Sequence, residues 1–459
     1  MLLASLLLFA CHVCIQIIYM FYPLFAVNKK EKLPILPYQK GISIIIPAYN
    51  EEKIILNCLE GIVKLNYDKY EVIIVNDGST DRTLQLLENH LQLKPDIHTA
   101  PALKIPHQPI KDIYCSRLLP KVKVIDKKNG GKADALNAGT EYSKYQIVVT
   151  LDADSVLDPN SLHAINTTFE DEKIAAAGGM VQIRQGFKGK LPLLQPHFQL
   201  KGLVRYQILQ YLSDFHLHKL TQSKINTMSV IAGAFGAFRK QVLFDVDGYR
   251  KTVGEDMDIT LKIHLLLKSN PKYKGKRLKF VPHAICYTEC PEAFTDLLQQ
   301  RIRWQKGFLD CILHYKNKYF RKLGFRISFF FLFESFFLGT INAFPTAILP
   351  VIILLSTENY MVALALLSIS VFLSFYRSII TLIVIHRYGI HYTTNQLTKF
   401  VLFLLLEIFT YKLLGLVFVI AGTFMYFKNK DSWYVSKRIG DKSVPFETTE
   451  NALPDNQAV

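Results

Sequence analysis

The chain has 459 residues, half of them hydrophobic and 20% charged, with a formal net charge of +16. This apolar content excludes extended disorder, collagen, low-complexity sequence and a small disulfide-stapled fold, none of which carries so much apolar surface. The hydrophobicity is concentrated in residues 1–28 and 327–427, and the segment between them has the composition of an ordinary water-facing domain. The pattern predicts an integral membrane protein with a large insert outside the bilayer.

The N-terminal apolar stretch from Leu2 to Val27 is long enough to cross a bilayer, which takes about 20 apolar residues. It has no basic leading region and no small-residue cleavage site, so we interpret residues 1–28 as an uncleaved transmembrane anchor. Lysines follow it at once, and by the positive-inside rule this places the next domain in the cytosol. The scattered cysteines fit reduced thiols in that compartment.

Strands and helices alternate through the central segment. Continuous β-branched runs predict buried parallel strands, and helical patterns separate them. In chain order the predicted elements are strand 42–46, helix 51–64, strand 71–75, helix 80–91, strand 122–125, helix 133–142 and strand 147–151. Residues 92–121 interrupt this order with several prolines and predict a long insertion loop. The alternation is typical of an α/β fold with a parallel sheet, in which ligands bind beyond the carboxyl ends of the strands.

The C-terminal apolar block divides into candidate membrane spans at about 327–355, 360–385 and 400–427. Three crossings would leave the polar tail 428–459 outside, whereas the basic residues of that tail favour the inside. We therefore expect one segment to be interfacial or re-entrant, and the two candidates are Phe331–Phe344 and the stretch around Glu407 and Lys412.

A basic segment precedes this block. Eight basic residues against one acid lie between Gln299 and Arg326, and residues 314–326 form a basic juxtamembrane segment. Because this run lies next to an apolar block, its predicted partner is an anionic membrane surface rather than nucleic acid. The alternative is that the basic residues form a solvated face without a specific partner.

Four short motifs lie where acidic or amide side chains follow predicted strands: Pro47-Ala48-Tyr49-Asn50-Glu51, Asp77-Gly78-Ser79, Asp152-Ala153-Asp154 and Gly254-Glu255-Asp256. Each is a weak signal by itself, because an Asp-Gly pair is more often simply a turn. Two carboxylates directly after a buried strand can hold Mg²⁺ or Mn²⁺, which substrate phosphates and water complete. Such a cation neutralises a departing diphosphate.

Two further motifs contain basic side chains. Gly130-Gly131-Lys132 precedes a helix and offers free amides and an ammonium group to a phosphate. Gln300-Arg301-Ile302-Arg303-Trp304 lies close to the apolar block. Its Trp beside Arg is either a headgroup anchor or an indole stacked on a sugar, with Arg303 on a diphosphate.

As an ordered set, these motifs resemble the family 2 processive β-glycosyltransferases, which include the poly-N-acetylglucosamine, cellulose, chitin and hyaluronan synthases. The resemblance covers residues 41–313 and is greatest to the poly-N-acetylglucosamine branch. It implies an α/β nucleotide-diphospho-sugar transferase domain (GT-A, Rossmann-like) on the cytosolic side, inserted between transmembrane helices.

The resemblance also implies roles for single residues. Pro47, Tyr49 and Glu51 would line the nucleotide pocket, with Asp77 reading the uracil ring, Lys132 near the phosphates, Asp152 on the nucleotide sugar and Asp154 binding Mg²⁺ or Mn²⁺. Asp256, with Glu255 beside it, would be the catalytic base, and Gln300, Arg303 and Trp304 would hold the diphosphate and the acceptor end. One position departs from the family pattern, because Gly254 stands where the family usually has Thr or Ser.

The leading hypothesis is a membrane-embedded inverting glycosyltransferase that extends a β-linked polysaccharide from a UDP-sugar. The expected partners are that donor, a growing glycan or lipid acceptor, membrane lipids and an export or accessory membrane protein, but no nucleic acid. One alternative is a non-processive transferase with a lipid acceptor. Another, from a different class, is a membrane transporter or a catalytically silent scaffold.

Overall fold

The protein is described by a computed structural model that covers residues 2–26, 36–96, 104–198, 202–341, 343 and 360–429. Its strands are β1 (Ile42–Ala48), β2 (Tyr70–Asn76), β3 (Leu93–Pro95), β4 (Ile110–Ser116), β5 (Val122–Lys127), β6 (Ile147–Leu151), β7 (Ser155–Leu157), β8 (Ile174–Ile183), β9 (Phe187–Lys188), β10 (Gln195–Pro196), β11 (Phe235–Arg239) and β12 (Arg277–Thr288).

The helices follow the same chain order. They are α1 (Leu2–Ala26), α2 (Ile55–Val63), α3 (Thr83–Leu91), α4 (Lys132–Tyr142), α5 (Ser161–Phe169), α6 (Gly202–Ser213), α7 (Leu220–Lys224), α8 (Lys240–Asp245), α9 (Glu255–Ser269), α10 (Phe294–His314), α11 (Phe325–Phe329), α12 (Tyr360–Arg387), α13 (Thr394–Phe409) and α14 (Tyr411–Lys428). A π-helical stretch, Asp214–Lys219, joins α6 to α7, and another, Phe330–Ile341, continues α11.

A ten-stranded sheet in the order β3-β4-β5-β2-β1-β6-β11-β8-β12-β7 forms the centre of the molecule. Its strands β5, β2, β1 and β6 are parallel, which confirms the predicted α/β arrangement. Every residue of β2 and all but one of β1 are buried. Helices cover both faces of a parallel sheet, and this explains why these strands are apolar along their whole length.

The second half of the sheet is mixed. Strand β11 runs antiparallel between β6 and β8, and β12 runs parallel to β8. The short strand β7 pairs antiparallel with the end of β12, so that Ser155 lies opposite Thr288. This pairing brings residues from late in the chain beside the Asp152-Ala153-Asp154 motif.

Residues 92–121 are not simply the expected loop. They contain β3 and β4, which extend the sheet at one edge: β4 pairs with β5, and β3 pairs with β4. The stretch after residue 103 lies over α4, where the Glu141 carboxylate accepts the main-chain N–H groups of Lys104 and Ile105, at 2.6 Å from Lys104. The strand signal in β4 was missed because its sequence, IKDIYCS, is neither a continuous apolar run nor a regular polar–apolar alternation, and it lies in a proline-containing stretch.

The helices α1, α12, α13 and α14 lie in the regions where membrane spans were predicted. Within the described ranges, no helix has both the length and the apolar character that a bilayer crossing requires. The predicted span 400–427 is divided between α13 and α14 at Thr410, close to Glu407. Part of the predicted span 327–355 and nearly all of the tail 428–459 lie outside the described residues, and the membrane location stays a prediction.

The basic run between Gln299 and Arg326 does not form one continuous surface. Arg301 and Lys306 are buried within the fold, at 7% and 2% exposure. The basic residues after α10, by contrast, are mostly exposed: Lys316, Arg321, Lys322 and Arg326. The prediction of a basic surface therefore applies to the segment 314–326 rather than to the whole run.

Candidate active site

The carboxyl ends of β1, β2, β5 and β6 meet at one edge of the sheet. The main-chain N–H of Asp77, which follows β2, donates to the carbonyl of Ala48 at the end of β1 at 2.9 Å. The Asn76 side-chain amide donates to a carboxylate oxygen of Asp126 on β5 at 2.6 Å. The strand-end motifs therefore converge where an open α/β sheet binds its ligands.

Lys127, at the end of β5, forms a closed group with Asp77 and Asp134, which we name the sealed cluster. Lys127 Nζ lies 2.5 Å from Asp77 Oδ1 and 2.5 Å from Asp134 Oδ1, and the Lys127 side chain has no exposed surface. A lysine is almost never fully buried unless it is paired, and here two carboxylates pair it. The cluster therefore joins the ends of β2 and β5 to the first turn of α4.

Asp77 also shapes the loop that precedes α4. Its carboxylate accepts the main-chain N–H of Gly130 at 3.0 Å and that of Gly131 at 2.7 Å. Gly131 has a φ of +94°, a conformation that glycine adopts without steric cost. The buried Asp77 carboxylate thus holds the glycine loop in place, and its predicted contact with a uracil ring stays a prediction.

Lys132, the first residue of α4, lies in a second group that remains open to solvent, which we name the open cluster. Lys132 Nζ lies 2.6 Å from Asp152 Oδ1 and 3.1 Å from Glu255 Oε1, and 34% of the Lys132 side chain is exposed. Burial opposes the charge on Lys132, but the two carboxylates outweigh it, and the pKa of Lys132 lies above its usual range. Burial raises the pKa of Asp152 although Lys132 opposes the shift.

Asp256 lies beside the open cluster in the first turn of α9. Its Oδ1 accepts the N–H of Met257 at 2.8 Å, and its Oδ2 accepts the N–H of Gly233 at 3.2 Å. Burial, and next the neighbouring Glu255 carboxylate, raise the pKa of Asp256 to about 6. A carboxylate with a pKa near the working pH is suited to accept a proton from a substrate hydroxyl.

Gly233 lies close to both charged groups. A Cβ at this position would lie 3.1 Å from Lys132 Nζ and 3.5 Å from Asp256 Cβ. The segment before β11 therefore lies against both the lysine and the candidate base. Any side chain at Gly233 would intrude on one of them.

Asp154 is the candidate metal ligand. The hydroxyls of Ser155 and Thr288 donate to its Oδ1 at 3.2 Å and 3.3 Å, whereas the neighbouring Asp152 is engaged by Lys132. In the described part of the chain, no three His, Cys, Asp or Glu side chains gather to hold a metal ion. A Mg²⁺-type cation that takes one or two carboxylates and completes its shell with phosphate and water does not need such a group, so the residues present fit it.

The motif after β1 reaches the same edge. Tyr49 is partly exposed there and Glu51 is buried, while Pro47 still belongs to the strand. Asn50, at a φ of +57°, accepts the main-chain N–H of Thr80 on its side-chain oxygen at 2.8 Å. The loops after β1 and β2 are therefore tied together, and a nucleotide contact by Pro47, Tyr49 or Glu51 stays a prediction.

Gln300, Arg303 and Trp304 lie on α10, which packs against α9 and α14. Trp304 is 41% exposed, and the Arg301 guanidinium lies 4.1 Å from the centroid of its ring. Gln300 Oε1 is buried and has no hydrogen-bond partner among the residues that the structure describes. The helix thus lies against α9, which carries Asp256, and the roles of Gln300, Arg303 and Trp304 stay predictions.

Three residues of this region were missed by the sequence analysis: Lys127, Gly233 and Arg250. Lys127 lies in a run of lysines and glycines in which only its position at the end of a strand distinguishes it. Gly233 lies in a stretch of small residues without a charge to mark it. Arg250 bridges Asp258 and Asp310, two buried carboxylates that are distant in sequence, and the spacing of these residues predicts no such bridge.

Comparisons with known proteins agree with this geometry. Residues 115–307 match a model described as glycosyltransferase like family 2, and residues 43–101 match a model described as glycosyl transferase family 2. The mannosyltransferase PcManGT from Pyrobaculum calidifontis, solved in complex with GDP-Man and Mn²⁺, has a similar structure, with a TM-score of 0.53 at 16% identity. The match covers 92% of this chain and 97% of that one.

Curated relatives point in the same direction. The chain is 29% identical over 296 residues to a poly-beta-1,6-N-acetyl-D-glucosamine synthase of Staphylococcus aureus (strain COL), which covers 63% of this chain and 59% of the relative. It is also 29% identical over 278 residues to the Staphylococcus epidermidis protein of the same name, covering 60% of this chain and 56% of that one. The chain thus spans less than two thirds of the length of these relatives.

The fold and the arrangement of acidic and basic groups at its sheet edge define a mixed α/β transferase of the GT-A type, the class that uses nucleotide-sugars. Within that class, residues 43–101 and 115–307 match glycosyltransferase family 2 domains, and the chain is similar to the poly-beta-1,6-N-acetyl-D-glucosamine synthases.

Proposed function

We propose that this protein is a membrane-embedded, inverting glycosyltransferase that extends a β-linked polysaccharide from a UDP-sugar donor. The observation that carries the proposal is the open cluster with Asp256 beside it. Lys132 supplies a cation at the start of a helix, and Asp256 supplies a base with a raised pKa a short distance away. A transferase needs these two functions side by side.

The proposed reaction is a single in-line displacement. An acceptor hydroxyl attacks the anomeric carbon of the donor, a new C–O bond forms, and the C–O bond to the diphosphate breaks. Asp256 takes the hydroxyl proton, and the diphosphate leaves with the bonding electron pair. Attack from the face opposite the leaving group turns an α-linked donor into a β-linked product.

Lys132 and the N–H groups of the first turn of α4 would hold the leaving diphosphate, because helix N-termini bind anions. The N–H groups of Gly130 and Gly131 donate to Asp77, so the glycine loop would shape this site rather than bind the phosphate. A divalent cation bound at Asp154 would neutralise charge on the diphosphate oxygens. Asp152, bound by Lys132 in the absence of substrate, would exchange that contact for one with the nucleotide sugar.

On the acceptor side, α10 would present Trp304 and Arg303. An exposed indole offers a flat apolar face to a sugar ring, and Arg301 on its other face keeps it oriented. Gln300, whose buried side-chain oxygen has no hydrogen-bond partner in the described residues, would gain one from a bound ligand.

Membrane association is supported by the surfaces of the helical regions. Large apolar side chains are exposed on α12, α13 and α14, among them Phe372 at 66%, Leu402 at 60% and Phe424 at 66%. In the basic segment 314–326, Phe320 and Phe325 are exposed among lysines and arginines. Aromatic and basic side chains together favour a lipid–water interface with anionic headgroups. The positive charges would place the catalytic domain in the cytosol.

The donor sugar is proposed from the relatives. The curated relatives are poly-beta-1,6-N-acetyl-D-glucosamine synthases, which favours UDP-N-acetylglucosamine. The structural relative was solved with GDP-Man and Mn²⁺, which supports a divalent cation and makes GDP-mannose a necessary comparison. A polymer made on the cytosolic side would also need an export or accessory membrane partner.

The proposal is tested with membranes that contain the full chain. They are incubated with radiolabelled UDP-N-acetylglucosamine, UDP-glucose and GDP-mannose, each with Mg²⁺, with Mn²⁺ or with chelator. We expect polymer from UDP-N-acetylglucosamine with cation and none with chelator, and loss of turnover in Asp154→Ala. Absence of transfer from every donor would instead favour the transporter or silent-scaffold hypothesis.

Product size separates a polymerase from a single-transfer enzyme. Trp304→Ala should shorten or abolish polymer and leave slow donor hydrolysis, because aromatic stacking contributes about 1–3 kcal/mol. Polymer of normal length from this variant would make Trp304 a membrane anchor. A glycolipid as the only product of the wild type would favour the lipid-acceptor alternative.

A further inference from the structure

The turn that carries Asp256 contacts α10 through two facing glycines. A Cβ on Gly254 would lie 2.8 Å from the Cα of Gly307, and a Cβ on Gly307 would lie 2.7 Å from the Cα of Gly254. Both distances are too short for a side chain, and the atoms on the other side are backbone rather than the end of a flexible side chain. The two segments therefore touch main chain to main chain.

A second set of contacts ties the same two segments together. Arg250 Nε donates to Asp258 Oδ1 on α9 at 2.8 Å, and Arg250 Nη2 donates to Asp310 Oδ2 on α10 at 2.7 Å. Both carboxylates are buried. The Thr252 hydroxyl also donates to Asp310 Oδ2, at 2.9 Å, and the Tyr315 hydroxyl donates to Asp258 Oδ1, at 2.9 Å.

We propose that Arg250, acting with the Gly254–Gly307 contact, is a positioning residue that sets the distance between the Asp256 carboxylate and the acceptor-binding side chains of α10. The inference rests on the proposed function and concerns how the base and the acceptor are aligned. Arg250 is suited to this role because its rigid, planar guanidinium fixes the relative direction of the N–H groups that bind the two carboxylates. A lysine ammonium can also pair with two carboxylates, but as a point charge on a flexible stem it does not fix their geometry.

The geometry explains why alignment matters here. Asp256 is two residues from Gly254 on one segment, and Trp304 is three residues from Gly307 on the other. A base must come within about 2.6–3.2 Å of the proton it accepts, and a displacement of about 1 Å can cost about 100-fold in rate. A Cβ inserted between Gly254 and Gly307 would force a shift of similar size.

The same contact accounts for the departure from the family pattern at Gly254. A Thr or Ser side chain at this position has no room beside Gly307 in this chain. The φ of −122° at Gly254 is one that any residue adopts. The glycine is therefore required by the neighbouring helix rather than by its own backbone conformation.

Gly307→Ala tests the proposal, with Gly415→Ala as its matched control. Both glycines lie within helices, so alanine improves the intrinsic helix propensity at both by about 1 kcal/mol, but a Cβ on Gly415 meets nothing within 4 Å. The measurements are UDP binding, UDP-sugar hydrolysis without acceptor, sugar transfer and product length. In Gly307→Ala we expect transfer to fall by at least about 10-fold and products to shorten, with UDP binding and hydrolysis close to wild type. Gly415→Ala should behave like wild type throughout.

Arg250→Lys provides a second variant that keeps the charge and most of the volume. We expect it to bind UDP normally, to lose transfer, and to show the loss in kcat rather than in the KM for the donor. Two results would overturn the proposal: wild-type transfer and product length in a folded Gly307→Ala or Arg250→Lys protein, or an equal fall of UDP binding, hydrolysis and transfer. The second result would make the contacts purely structural.

Failure of the positioning role can be distinguished from failure of the proposed function. If the wild type transfers no sugar from any donor, the proposed function fails before the variants are compared. If the wild type makes polymer and the variants match it, only the positioning role fails.

Discussion

The sealed and open clusters contain the same chemistry in two different settings. Each pairs one lysine with two carboxylates, and Lys127 and Lys132 lie only five positions apart in the chain. The Lys127 side chain has no exposed surface, and its carboxylates also bind backbone amides. The Lys132 side chain is one-third exposed, and it is bound by side chains that can release it.

The comparison shows how burial separates charged groups that stabilise the fold from charged groups that can bind a ligand. A fully enclosed ion pair has lost its hydration, so removing one partner leaves an uncompensated charge in the interior. A partly exposed lysine can exchange a carboxylate for a substrate phosphate with little change in hydration. We therefore expect the sealed cluster to act in folding and the open cluster to act in ligand binding.

The largest effect is expected at Asp256, next to the open cluster. Asp256→Asn should retain UDP-sugar binding but lose about 10²–10⁴-fold in transfer rate, because an amide does not accept the hydroxyl proton. Binding is measured by calorimetry with UDP, and transfer with the labelled donor. Parallel losses in binding and transfer would instead show that Asp256 shapes the pocket.

At the sealed cluster the expected effect is on stability. Lys127→Met should lower the free energy of unfolding by about 3–5 kcal/mol, since it leaves the buried Asp77 carboxylate and the partly buried Asp134 carboxylate without their cation. Denaturant unfolding measures the change. Lys128→Met, at the exposed neighbouring position, is the control and should change stability by less than about 0.5 kcal/mol. Similar effects from both variants would contradict the structural role of Lys127.

The equivalent change at the open cluster should act on ligand binding. Lys132→Met should weaken UDP binding by about 10- to 140-fold, since hydrogen bonds to charged groups contribute about 1.5–3 kcal/mol. Unfolding should change by less than about 1 kcal/mol, because the exposed pair is screened by solvent. A large loss of stability with unchanged UDP affinity would reverse the assignments of the two lysines.

The smallest effect is a pH dependence. The pKa of Asp256 is raised to about 6, and the base acts only when it is ionised. Transfer should therefore be constant above this pKa and fall about 10-fold per pH unit below it. A pH–rate profile of kcat/KM measures this limb, and the residual activity of Asp256→Asn should lack it. A wild-type profile that is flat from pH 5 to 8 would exclude Asp256 as the titrating group.

The parallel half of the fold could be predicted from the sequence because its strands are buried on both faces. Continuous apolar runs mark β1, β2 and β6, and the polar residues directly after them mark the edge where ligands bind. The meeting of Lys132 with Asp152 follows from that rule. The order of the motifs along the chain was sufficient to predict this edge, since each motif directly follows its own strand.

The mixed half of the sheet, the burial of Lys127 and the glycine contact could not be predicted, because they depend on contacts between distant parts of the chain. Strands β8, β11 and β12 pair across long separations, and the strand signals in β3 and β4 are short and interrupted by polar residues. Burial of Lys127 depends on carboxylates from two other elements. The Gly254–Gly307 contact joins segments more than 50 positions apart, and a glycine carries no pattern that predicts its partner.

The pairing of β1 with β6 and of β8 with β12 also determines how long each strand waits for its partner during synthesis. Ile42 pairs with Ile147, and Ala176 pairs with Leu278. At about 5–20 residues per second of synthesis, each partner strand emerges about 5–20 s after the strand it joins. The growing chain therefore holds unpaired strand edges for seconds, a period in which nascent-chain chaperones have time to act. Synthesis of α10 follows directly on β12, so the helix that completes the site emerges as soon as the sheet is able to close.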